Sequence, residues 1–160
     1  MAEGSRGLQA FIDTYQCALI NQLTLIHSNT SRTQDRFLVL TLARHTQKYV
    51  QCIFLDQDTR MLCEASSGSY GPRAGTVQKF RVSARGLRAL AKLGFSLTGG
   101  SGNYQLMIEP PASSDYRAVA TLILTAIYEV YDAEANSRLR ITVPLGIPRD
   151  FVPAICVPTS

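Results

Sequence analysis

Tryptophan is absent from this chain, histidine occurs only at His27 and His45, and the four cysteines contain no C-x-x-C pair. The cysteine and histidine spacings therefore offer no structural zinc site, which needs paired thiolates or imidazoles a few positions apart. Cys17, Cys52, Cys63 and Cys156 sit in largely apolar surroundings such as Val50–Phe54 and Met61–Cys63. The expectation is four reduced thiols packed as small hydrophobes. The first residues, Met1 to Gly7, carry no apolar leader-like run, and no window approaches ~18 uninterrupted apolar residues. A cytoplasmic location is expected on that basis.

Enzymatic signatures are missing as well. There is no G-x-S-x-G elbow to expose a nucleophilic serine. Gly68–Gly71 and Gly99–Gly102 are not followed by the Lys-Ser or Lys-Thr of a phosphate loop, and neither opens a helix directly after a strand, so they read as turns. Asp56 and Asp58 fall in a tight turn, where aspartate bonds its own backbone, and the residues after them supply no calcium ligands. His27 reads as a helix-end residue and His45 as an exposed turn residue. An unfamiliar active site would have to be assembled from Glu64, Cys63 and Tyr49. No catalytic residue, metal or cofactor is expected.

What the chain does have is enough apolar residue for one core: 160 residues, 46% hydrophobic and 18% charged. A domain of this size hides about 70% of the surface its unfolded chain exposes. Leu8, Phe11, Ile12, Tyr15, Leu19, Leu23 and Ile26 recur at helical spacing and predict a helix over about residues 7 to 27. After a polar loop, 37–42, 48–55 and 60–66 read as three strands joined by short turns, an antiparallel meander. Ser83 is placed to cap a short helix that Gly94 ends, with Gly86 inside it costing about 1 kcal/mol against alanine. Residues 103–109 form a fourth strand candidate stopped by Pro110–Pro111. Ser113 or Ser114 can start a long helix with Val119, Leu122, Ile123, Ala126, Ile127, Val130 and Tyr131 on its apolar side, and 138–143 alternates as a half-exposed strand. Pro144, Pro148, Pro153 and Pro158 mark an extended tail that can dock through Ile147, Phe151 and Ile155. The order α-β-β-β-α-β-α-β predicts an α+β fold, an antiparallel sheet with helices on one face, with residues 1–143 as the domain and 144–160 as a Pro-rich tail.

The net charge of +4 gathers in a 20-residue stretch, 73–92, that has no acidic residue. Arg81, Arg85, Arg88 and Lys92 are the candidate partner-binding residues, for an acidic protein surface or for nucleic-acid phosphates, with a solvated face as the plain alternative. Glu64, in mid-strand, is expected on the solvent face, with a place in a partner site as the alternative.

Several short blocks then stand in a telling order: Tyr49-Val50-Gln51-Cys52, Leu62-Cys63-Glu64-Ala65, Leu93-Gly94-Phe95, Gly102-Asn103-Tyr104 and the helix Ala118 to Tyr131. Over residues 8 to about 143 the chain resembles the YbjN-like and type III secretion chaperone-like domains, including the actinobacterial TY-Chap type. The resemblance implies a non-enzymatic α/β sandwich that binds a protein or peptide client as chaperone or adaptor, on its sheet or in a groove between sheet and helices, with homodimerisation as an option. The absence of tryptophan and the Pro-rich tail depart from that pattern.

Overall fold

The computed structural model describes residues 2–28, 36–55, 60–68, 80–97, 102–109, 116–144 and 147–156. Its elements, in chain order, are α1 (Ala2–Ser28), β1 (Phe37–Leu42), β2 (His45–Leu55), β3 (Arg60–Ala65), α2 (Ala84–Leu93), β4 (Tyr104–Ile108), α3 (Arg117–Val130), β5 (Leu139–Thr142) and β6 (Arg149–Asp150). The strands form one antiparallel sheet in the order β4-β3-β2-β1-β5-β6. The α+β expectation is met. The tail adds β6, which pairs Arg149 and Asp150 with Ile141 and Arg140.

Strand alternation divides the sheet into two faces. Leu38, Leu40 and Leu42 of β1, Val50, Cys52 and Phe54 of β2, Met61, Cys63 and Ala65 of β3, and Leu139 and Ile141 of β5 are buried in one core cluster with the helices. Helix α3 packs against α1, α2 and β2. Because it has neighbours on several sides, Ala120 and Leu124 are buried along with the expected stripe of Val119, Ile123, Ala126, Ile127 and Val130. At the end of α3, the buried Tyr131 hydroxyl donates to the Ser66 carbonyl at 2.7 Å. Burial pushes its pKa well above the ordinary tyrosine value, making it a weaker acid, and the nearby Tyr49 and Tyr104 add to the rise.

Local signals set the helix ends. Ser83 Oγ accepts from the Gly86 amide at 3.0 Å, and Gly94 stops α2 with a φ of 100°. Gly86 does more than tolerate the helix: a Cβ there would lie 2.8 Å from Val82 Cγ1 and 3.2 Å from the Val130 carbonyl oxygen, so its bareness lets α2 approach the end of α3. The guanidinium of Arg36 donates to the terminal carbonyls of Ile26 and His27, closing α1 with positive charge at the negative end of its dipole. The proposed caps Ser113 and Ser114 lie outside the described residues. Tyr116 takes the N-cap position of α3 without a side-chain cap bond.

The cysteine expectation is overturned, since Cys17 is bonded to Cys156 and Cys52 to Cys63. Cys52 and Cys63 are directly opposed in the β2–β3 ladder, a register that could not be known from apolar surroundings alone. The other bond ties the tail to α1. Tail docking is only partly as expected: Phe151 is buried and stacks on Tyr15 with centroids 5.7 Å apart, but Ile147 and Ile155 are 83% and 90% exposed. Backbone and polar contacts do the rest, with Asn21 Nδ2 donating to the Ile155 carbonyl at 3.1 Å.

Candidate functional site: the open face of the sheet

The helices leave the second face of the sheet uncovered among the described residues. Register aligns its side chains into two cross-strand rows. Phe37, Ile53, Leu62 and Met107 are successive partners in one row; Val39, Gln51, Glu64 and Gln105 follow in the next, with Thr142 beyond Val39. All except Met107 and Gln105 are half-buried. Met107 is 45% exposed. Phe37, Val39, Gln51, Cys52, Ile53, Leu62 and Glu64 enclose a shallow cleft of about 240 Å³.

Glu64 lies at the polar edge of this apolar ground. Gln51 Nε2 donates to its Oε2 and Gln105 Nε2 to its Oε1, each at 2.9 Å. An ionised carboxylate only accepts, so both amide groups must turn their nitrogens toward it. No ion pair reaches Glu64 among the described residues. The carboxylate is thus held by neutral donors from both flanking strands.

The uncovered face ends at β4. Ser96 donates its amide to the Gln105 carbonyl at 2.8 Å from the outer side. Since backbone groups of alternate residues point the same way, the N–H and C=O of Met107 face outward too. A larger hollow of about 400 Å³ opens among Leu42, Ala43, Arg44, Glu134, Asn136, Ser137 and Arg138. It is a dent between turns, with Arg44 donating to the Asp132 carbonyl at 3.2 Å, and no side chains converge in it as they do around Glu64.

The remaining candidates are dispersed. Cys63 points into the core and is disulfide-bonded, while Tyr49 accepts at its hydroxyl from Asn103 Nδ2 at 3.0 Å; neither meets Glu64 in a catalytic arrangement. His27 lies between Phe54 and Tyr116 and bonds the Tyr116 hydroxyl. His45 opens β2 with its ring against Phe80, rather than standing free in a turn. Asp56, Asp58, Arg73 and Lys79 lie outside the described residues. Arg81, Arg85, Arg88 and Lys92 are exposed on or beside α2, in the helix layer and away from the Glu64 face. Arg85 lies 3.9 Å from Glu129. Among the described residues no group of His, Cys, Asp and Glu could hold a metal ion, and no helix is long and apolar enough to cross a membrane. Sequence reasoning missed Gln51 and Gln105 as partners of Glu64.

The sheet is thus covered by helices on one side and carries on the other one apolar row beside a largely polar one. The chain belongs to the TY-Chap3 family, described as the T3SS (YopN, CesT) and YbjN peptide-binding chaperone 3, which it matches over residues 15–144. This is a chaperone family, not an enzyme family. No curated protein and no solved structure matches the chain.

Proposed function

We propose that this chain is a non-enzymatic chaperone or adaptor that holds an extended segment of a client protein against the open face of its sheet. The observation that supports this reading is the row Phe37, Ile53, Leu62 and Met107, which leaves apolar side chains partly in water in a family that binds peptides. A groove between sheet and helices is a weaker choice, because core side chains fill that space. In this reading residues 1–143 are the client-binding domain, and 144–160 are a tail tied to α1 through Cys156.

The test is selection of displayed random peptides on the purified protein, followed by binding measurements with Leu62→Thr and Met107→Asp. Each variant removes apolar contact area from the face, worth about 1.5–3 kcal/mol for a fully buried side chain. Affinity for the selected peptides is expected to fall at least about tenfold, with the thermal midpoint little changed for the exposed Met107. Undiminished binding by both variants would move the client elsewhere.

Arg81, Arg85, Arg88 and Lys92 enter the proposal as an accessory surface for acidic stretches flanking the bound segment. Arg85→Glu with Arg88→Glu is then expected to slow client association at low salt and leave it nearly unaltered at high salt. Loss of nucleic-acid retention in that variant, with client binding intact, would favour the nucleic-acid alternative for these residues. The cytoplasm remains the proposed location. In its reducing conditions the disulfide-bonded molecule would be the oxidised form of the protein.

A further inference from the structure

We propose that the segment bound on the open face carries a lysine or arginine seated on Glu64, with an apolar residue two positions away in the cleft; this rests on the client-binding reading above. The chemistry starts from the charge that the face leaves unanswered. Glu64 is half-buried, borders a cleft otherwise made largely of Phe37, Val39, Ile53 and Leu62, and among the described residues receives only the two neutral amides of Gln51 and Gln105. A client laid over the cleft strips water from this carboxylate. Burying an ionised group without a charged partner is strongly unfavourable, and pairing it offsets that cost.

This penalty acts as a selector. A basic side chain turns the desolvated carboxylate into a charge-assisted contact, while a neutral residue leaves it buried and an acidic one adds repulsion. The amides matter here because they fix the carboxylate before the client arrives. Spacing follows from the strand: Glu64 and Leu62 are two residues apart on one face of β3, about 7 Å along it. An extended client has the same repeat. When its basic residue sits over Glu64, the side chain two positions along falls over Leu62 and Ile53, and the one between them faces water. The inferred recognition element is therefore Lys or Arg, any residue, then Leu, Ile, Met or Phe, in either chain direction.

The experiment pans random twelve-residue peptides on the wild-type protein and on Glu64→Gln, then measures fluorescence anisotropy of the most enriched peptide and of the same peptide with norleucine replacing its basic residue. The expected result is enrichment of the basic-x-apolar element on wild type, an affinity about tenfold lower for the norleucine peptide, and loss of that difference in Glu64→Gln. Thermal unfolding of Glu64→Gln near the wild-type midpoint separates lost recognition from lost fold. Peptides enriched without a basic residue, yet weakened by Leu62→Thr and Met107→Asp, would overturn the cation on Glu64 and leave the client reading standing. No enrichment at all, or sedimentation as a dimer whose partner copy occludes this face, would overturn both.

Discussion

Replacing Cys17 and Cys156 together by serine is expected to lower stability by about 5 kcal/mol and the thermal midpoint by about 10–20 °C. The bond joins residues 139 positions apart, so in the unfolded state it closes nearly the whole chain into a loop. Loop-closure entropy grows with the logarithm of loop length, which places this bond near the upper end of what one disulfide contributes. Without it, the tail is left with β6, the Tyr15–Phe151 stack and a few exposed bonds such as that from Asn21 to Ile155. The Cys52–Cys63 bond gives an internal comparison. It spans 11 positions and joins residues already opposed by a ladder, and the same relation predicts about 3 kcal/mol. Thermal unfolding of the two double variants, followed by circular dichroism, checks both values. A Cys17/Cys156 variant that melts within about 3 °C of the parent, roughly 1 kcal/mol, would mean that the covalent tie constrains neither end of the transition.

Gly68→Ala is expected to cost about 3 kcal/mol, against about 1 kcal/mol for Gly94→Ala. Both glycines have positive φ, 83° and 100°, and alanine meets a similar conformational penalty at each. Their surroundings differ. A Cβ on Gly94 would come 3.4 Å from the flexible tip of Leu106, whereas one on Gly68 would lie 2.1 Å from the carbonyl oxygen of Phe80. Backbone must move to make room, and the Phe80 ring, packed edgewise on Tyr131 at 5.8 Å, moves with it. Tyr131 in turn holds the Ser66 carbonyl next to Gly68. The disturbance therefore spreads through the junction of β3 and α3. Urea midpoints of the two variants, compared at equal slope, isolate the clash from the conformational term. Equal losses would contradict it.

The parts of the fold written in local pattern were legible. Residues 119 to 131 alternate at helical spacing because α3 must present one continuous apolar side, and Ser83 and Gly94 declare the ends of α2 through backbone needs that few other residues meet. Some of the site was legible too. Cys52 and Cys63, Gln51 and Glu64, and Ile53 and Leu62 are each equidistant in sequence from the midpoint between β2 and β3, so a symmetric hairpin pairs them. Counting outward from that midpoint would have suggested the Cys52–Cys63 bond and the first amide on Glu64. Gln105 could not be reached in this way, since a loop and a helix separate it from β3 and only the folded sheet brings β4 alongside. The same reason hid Cys17–Cys156 and the placing of β5 beside β1. Nonlocal neighbours depend on how the layers stack, and the spacing along a single strand holds no record of that.

The two ends of the sheet are unequal, and this limits how copies of the molecule can associate. At one end β6 offers two residues, Arg149 and Asp150, with Asp150 engaged by Arg138 at 3.3 Å. Charge and brevity make it a poor template for a further strand. At the other end β4 has outward backbone groups at Met107. A head-to-tail fibre would need both ends to be adhesive, and β6 disfavours that. Two copies that met edge to edge would join β4 to β4 around a twofold axis, and that symmetry leaves only the short, charged β6 edges for a further strand among the described residues.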